Sequence, residues 1–332
     1  MNKEIVLSGM RPTGFLHLGN YFGALENWIK LQDEFYCLFF IADWHALTTG
    51  YEDTSELKTY IENIVIDWLS SGLDPNKSIF FLQSSLKEHA ELHLLFSMIT
   101  PLAWLLRCPT YKDQMAQMKD KNIATYGFLG YPCLQAADIL IYKANYVPVG
   151  EDQLPHLELT REIARRFNYI YNEVFPEPQP ILTKAKVLPG IDGKKMSKSY
   201  NNTILLSDNP DAVEKKVTMM ITDPEKIKKN DPGHPDICTV FAFHKTFNEE
   251  IIKDIEEQCK KGCIGCVQCK KDLAKKMIEY ISPIYEKRKV IANKPDYIKD
   301  IIREGNKKAG EIAKKTMEEV RNAMGIDWLN SK

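Results

Sequence analysis

Four groups of residues in this chain have types and spacings suited to chemistry. The first is Met10-Arg11-Pro12-Thr13-Gly14-Phe15-Leu16-His17-Leu18-Gly19-Asn20, directly behind a short apolar run from Ile5 to Leu7. That order reads as a strand, a tight Pro/Gly turn, and a helix whose first turn holds His17, Gly19 and Asn20. A helix N-terminus leaves backbone N–H groups unpaired and carries partial positive charge, which suits a polyphosphate. Gly19 lets a nucleotide lie against the backbone with no Cβ between them. His17 and Asn20 add side-chain donors. Alone, a turn of this composition is commonly structural.

The second group is Lys195-Met196-Ser197-Lys198-Ser199, which follows the loop Gly190-Ile191-Asp192-Gly193 and supplies two ammonium groups and two hydroxyls within five residues. The third is Asp138, set on the otherwise apolar stretch Tyr131 to Tyr142. A carboxylate placed toward an interior needs a partner with a hydrogen to donate, whether a cap, an ion pair or a substrate. The fourth is a crowd of cysteines: Cys238, Cys259, Cys263, Cys266 and Cys269. Cys259, Cys266 and Cys269 are separated by six and two residues, and Cys238 is separated from Cys259 by twenty. In a cytosolic chain such crowding favours a metal over disulfides, with zinc and iron–sulfur both open. Cys37, Cys108 and Cys133 are scattered in apolar surroundings and read as small buried hydrophobes.

The elements that must position these groups follow from periodicity. Phe35 to Ile41 and Ser78 to Leu82 are continuous apolar runs that suit strands buried on both faces. Asp43-Trp44-His45 sits at the carboxyl end of the first, where an open α/β sheet places ligands. Leu57, Ile61, Ile64, Val65 and Trp68 share one helical face, with Asp53 or Thr54 as N-cap and Gly72 past the end. Alternation of this kind predicts an α/β fold with a parallel sheet wound by right-handed crossovers. Leu86 to Lys121 reads as a helical insertion between the halves of the sheet. After Pro176-Glu177-Pro178-Gln179-Pro180 the composition turns helical and lysine-rich, with Leu273, Met277 and Ile281 in an i, i+4 row.

The chain has 332 residues, 44% of them hydrophobic and 27% charged, which is ordinary for a soluble protein and argues against disorder. A net charge of −1 leaves nucleic-acid contact to local patches such as Lys226-Ile227-Lys228-Lys229. The longest apolar runs are too short to span a bilayer, so a cytoplasmic protein without membrane contact is expected.

Together the first two motifs resemble the class I aminoacyl-tRNA synthetases: His17-Leu18-Gly19-Asn20 is that family's "HIGH" signature and Lys195 to Ser199 matches its "KMSKS" loop letter for letter. Tyr131-Pro132-Cys133-Leu134-Gln135-Ala136-Ala137-Asp138, continued by Val147 to Gln153 and His156 to Arg161, looks like the tryptophan-specific branch. The resemblance implies a Rossmann-like catalytic domain with its helical insertion over 1–190, and a KMSKS loop with a helical anticodon-binding domain over 191–332. It implies catalytic roles for His17, Asn20, Lys195 and Lys198. ATP would be held by Arg11, Pro12, Thr13, Gly19, Asn20, Gly150, Glu151, Asp152, Val187, Lys195, Met196, Ser197, Lys198 and Ser199. Tryptophan would be held by Tyr131, Gln135, Asp138, Val147, Val149 and Gln153, with Asp138 accepting the indole N–H.

Two positions depart from the family pattern. Many bacterial members carry methionine at Gln135, which leaves open whether Gln135 shares the indole with Asp138. Arg11 stands where many relatives carry glutamine and offers an extra cation to the phosphates. Lys119 resembles a lysine that approaches ATP from the insertion. A subgroup of these synthetases carries a four-iron cluster on a similar cysteine pattern, which implies [4Fe-4S] on Cys238, Cys259, Cys266 and Cys269; zinc is the alternative, and a register using Cys263 also exists. The expected activity is tryptophan–tRNA ligation with Mg2+ and ATP by a homodimer, its partner tRNA(Trp). The closest alternative is the sister tyrosine enzyme, whose phenol could also donate to Asp138. A nucleotidylyltransferase would not need the long helical C-terminal region, and a non-catalytic relative should have lost Lys195 and Lys198.

Overall fold

A computed structural model describes residues 3–109, 111–112, 123–182, 186 and 188–327, with the side chain of Ser199 left out. Five parallel strands form one sheet in the order β3-β2-β1-β4-β5: β1 (Ile5–Met10), β2 (Tyr36–Ile41), β3 (Ser78–Leu82), β4 (Tyr146–Val149) and β5 (Gln179–Leu182). The order reverses between β1 and β4, and that crevice is where an open α/β sheet receives ligands. β1 pairs with β2 in the register Val6 with Cys37 and Leu7 with Leu38.

Alternate residues of the strands divide the core in two. Val6, Cys37, Phe39, Ile41 and Phe80 point to one face. It is covered by α2 (Glu26–Glu34), α4 (Leu57–Ser71) and, from the second half of the chain, α10 (Pro210–Met219), α11 (Thr239–Phe247) and α13 (Cys266–Ala292). Leu7, Leu38, Phe40, Ile79 and Phe81 point to the other. There the cover is α5 (Glu88–Ile99), α8 (Tyr131–Leu140), α9 (Leu154–Ile170) and α14 (Pro295–Met324). The unbroken apolar runs predicted a sheet buried on both faces, and both faces are buried.

The Pro/Gly turn behind β1 enters α1 (Leu18–Asn20), which continues through a π-helical turn (Tyr21–Leu25) into α2. The remaining helices are α3 (Asp43–Gly50), α6 (Leu102–Leu106), α7 (Tyr126–Leu129) and α12 (Ile252–Lys260). α4 starts later than its sequence suggests, after Glu56, because Asp53 turns back to accept from Ser55 N; Gly72 closes it in the left-handed region (φ +118°) as expected. The insertion is helical over α5 and α6; Lys119 and Val187 lie outside the described residues. Among the described residues no helix is long and apolar enough to cross a membrane.

Candidate active site

Two chambers open at the carboxyl ends of β1, β2 and β4, and Arg11 lines both. It belongs to the turn just after β1, where the chain leaves the sheet at the crevice. Its Nη2 donates to Thr49 Oγ1 on α3 at 2.6 Å. Burial holds its pKa below the usual value.

The larger chamber, about 800 Å³, is lined by Pro12, Thr13, His17, Asn20 and Tyr60 on one side and by Lys195 to Lys198 on the other. Backbone pairing brings the sides together: Leu18 N donates to Ile204 O and Leu206 N to Leu16 O, both at 2.9 Å. Gly14, at φ +131°, is needed twice over. Its backbone conformation disfavours a side chain, and a Cβ there would stand 2.8 Å from Lys198 Cδ. Gly19 leaves room for the His17 ring, with Met196 Sδ just beyond.

Burial, reinforced by the Lys198 charge, lowers the His17 pKa to about 4, so this imidazole is neutral at pH 7. Burial also lowers Lys198 to about 8, against an upward pull from Asp67. At pH 7 the ammonium of Lys198 therefore keeps its charge while the imidazole of His17 has lost its own.

The Lys195–Lys198 loop is held by a residue that sequence reasoning passed over. Asn202, buried, accepts from Ser197 N (2.8 Å) and donates to Lys195 O (3.1 Å) and Asp192 Oδ1 (2.7 Å). Its signal was the polar pair Asn201-Asn202 directly behind the motif, with Asn201 left-handed (φ +50°).

The smaller chamber, about 380 Å³, is lined by Gly9, Phe40, His45, Tyr131, Gln135, Asp138, Val147, Val149, Gly150, Gln153 and His156, among others. Asp138 lies at its depth, 1% exposed, and is held by three side chains. His45 Nε2 meets Oδ2 at 2.8 Å, His89 Nδ1 meets Oδ1 at 2.6 Å, and Gln83 Nε2 donates to both oxygens at 2.8 and 2.9 Å. Burial opposes ionisation, but the bonds from His45 and His89 outweigh it and hold this carboxyl at about 2. With His89 Nδ1 donating, its Nε2 accepts from Tyr142 O–H at 2.7 Å, a phenol whose pKa burial pushes well up.

A second relay stands at the mouth. His156 Nδ1 donates to Gln153 Oε1 (3.0 Å) and its Nε2 accepts from Tyr131 O–H (2.8 Å). Burial keeps that imidazole neutral by lowering its pKa to about 4. His89 and Gln83 were absent from the sequence-predicted site because each lies tens of residues from Asp138 along the chain; only sheet topology makes them neighbours.

Most of the expected ligands therefore converge. Arg11, Pro12, Thr13, His17, Asn20, Lys195, Met196, Ser197 and Lys198 share the larger chamber, and Tyr131, Gln135, Asp138, Val147, Val149, Gly150 and Gln153 the smaller. Glu151 does not join them; it lines a surface groove with Arg161 and Pro180. Asp152 folds back, its Oδ1 lying 2.7 Å from where a Gly150 Cβ would stand, and its Oδ2 accepts from Gln153.

Sharing no lining residue with either chamber, Cys238, Cys259, Cys266 and Cys269 line one small cavity with Val240, Phe241, Ile255 and Ile264, together with Asp223 and Lys226. All four are free thiols. Burial first, then the neighbouring cysteines, raises Cys269 to about 12. His244 Nδ1 faces Asn248 Nδ2 at 2.8 Å, so its Nε2–H donates toward Cys269, with O at 3.1 Å and Sγ at 3.3 Å. Cys263 is exposed and turns to Lys261 O instead. Among the described residues no three His, Cys, Asp or Glu side chains stand close enough to grip a metal ion as they are.

The family described as "tRNA synthetases class I (W and Y)" matches residues 2–282. Among curated relatives, the tryptophan–tRNA ligase of Thermotoga maritima is 55% identical, the match covering 97% of this chain and 99% of the relative. That of Aquifex aeolicus is 48% identical over the same shares. Among solved structures, tryptophanyl-tRNA synthetase from Campylobacter jejuni complexed with ADP and tryptophan superposes with a TM-score of 0.87 at 36% identity, covering 97% of this chain and 99% of that one.

Proposed function

Because this chain belongs to the class I tRNA synthetases for tryptophan and tyrosine, we propose that tryptophan occupies the smaller chamber, ATP the larger, and that the two react beside Arg11. The chain is an aminoacyl-tRNA synthetase, and its activity is that of a tryptophan–tRNA ligase. The observation that carries the division of labour is Arg11, whose side chain borders both chambers.

The tryptophan carboxylate, ionised at neutral pH, attacks the α-phosphorus of Mg-ATP; the bond to the β-phosphate oxygen breaks and pyrophosphate leaves. No protein base is needed, so the chain contributes position and charge. Mg2+ arrives with ATP and neutralises part of the phosphate charge. His17, as a neutral donor, and Asn20 hold the phosphates, while Lys195 and Lys198 follow the departing pyrophosphate. In the second step a ribose hydroxyl of the tRNA 3′ end attacks the acyl carbonyl and AMP leaves.

Asp138 selects the amino acid by accepting the indole N–H beside His45, and Gln135 lies within reach of the same ring. A competitor lacking that N–H leaves an acceptor site dry and unpaired, which costs about 1–3 kcal/mol. Tryptophan-dependent ATP–pyrophosphate exchange, with tyrosine in parallel, tests the assignment. Exchange with tryptophan alone is expected; exchange with tyrosine, or with neither, overturns it.

Three finer features complete the reading. The four cysteines fit a [4Fe-4S] centre by donor chemistry: four free thiols border one small cavity, and His244 is placed to steady Cys269. Such a centre supplies positive charge that lets the thiols ionise, with zinc as the alternative. The helices beyond residue 190 receive the anticodon of tRNA(Trp), in the cytoplasm where charging takes place. A homodimer forms through α5 and α6, supported by the exposed Leu94, Met98, Leu102 and Leu106.

A further inference from the structure

β3 is the edge strand of the sheet, so among the described residues one side of its backbone has no strand partner. The C-terminal helix α14 lies directly along it. At Gly305 the two backbones approach so closely that a Cβ would stand 1.7 Å from Phe80 O. The next residue, Asn306, accepts through Oδ1 from Leu82 N at 2.9 Å. Leu82 is the last residue of β3, and the chain passes from it straight into Gln83.

Gln83 is completely buried and its amide has one possible orientation. Oε1 accepts from Trp44 N (3.1 Å) and His45 N (3.4 Å), which leaves Nε2 to donate to both oxygens of Asp138. The helix is also clipped to the face that carries the pocket. Arg321 forms a two-pronged pair with Glu91 on α5 (2.7 and 2.6 Å), and Glu319 accepts from Lys143 just beyond α8 (2.5 Å).

We propose that Asn306 is a positioning residue for amino-acid selection: by anchoring the end of β3 it fixes Gln83, and through Gln83 the orientation of the Asp138 carboxylate. Asn306 touches no substrate. An acceptor must be aimed at the N–H it selects, so a small drift of Gln83 weakens discrimination more than it weakens ATP binding. The inference rests on Asp138 as the group that reads the indole N–H.

The experiment compares kcat/KM in pyrophosphate exchange for tryptophan and for its benzothiophene analogue, in which sulfur replaces N–H. Asn306→Ala should lower the preference for tryptophan by about five-fold or more, through KM for tryptophan, with KM for ATP unchanged. Asn306→Asp keeps an acceptor oxygen and should restore the wild-type preference. Should Asn306→Ala not fold, Asn306→Ser is read in the same way. Asp138→Asn tells apart the two ways of failing. If it abolishes the preference while Asn306→Ala leaves it intact, Asn306 only secures the helix and the inference is wrong. If Asp138→Asn leaves the preference intact, the pocket reading itself has failed.

Discussion

Lys198 shows how burial prepares a residue for its ligand. A half-buried ammonium whose pKa is lowered from 10.5 to about 8 is charged below that pH and loses its charge above it. The kcat/KM for ATP should therefore fall as pH rises through about 8, and Lys198→Arg, whose guanidinium stays protonated, should hold its own lower rate flat across the same range. A wild-type profile that stays level from about pH 7 to about pH 9 would show that this charge is not needed in the free enzyme. The type and place of Lys198 were legible in its motif. Its depressed pKa was not, because burial against Gly14 depends on a turn that sits 184 positions earlier in the numbering. The same holds for Asp138: the sequence marks a carboxylate on an apolar helix, but its partners His45, His89 and Gln83 come from three other segments.

At the level of elements, helices and strands were readable wherever one periodicity dominated. β2 and β3 were legible as apolar runs, and α13 by its Leu273, Met277 and Ile281 row. α5 and α6 are less ordinary. Leu94, Met98 and Leu102 are each more than half exposed, an apolar stripe that a monomer would leave in water. If this stripe is the dimer contact, Met98→Glu should place a charge at its centre and shift the sedimenting species from dimer to monomer at micromolar concentration. Unchanged sedimentation would locate the contact elsewhere.

Across the whole molecule, the cysteine cavity and the chambers lie apart but share a core: Cys238 and Cys269 pack at the border of the cluster that also contains Leu16, Leu18 and Met196. If a metal centre holds the helices proposed to meet the anticodon, Cys266→Ser should reduce tRNA charging by about ten-fold or more and leave pyrophosphate exchange within about two-fold. Equal losses in both would mean that the cluster supports the catalytic half directly. Iron and sulfide analysis of anaerobically purified protein separates [4Fe-4S] from zinc. By itself the sequence determined the parallel α/β architecture, both signature loops, the carboxylate on an apolar helix and the crowding of the cysteines, since each of these is written in residue types at short spacing. Only the tertiary structure decided that Arg11 borders both chambers, that Glu151 faces away, that Cys263 turns outward, and that Asn306 reaches Leu82 across 224 positions. Those facts arise where distant segments meet, and such meetings are set by packing the two faces of one sheet, which no local pattern encodes.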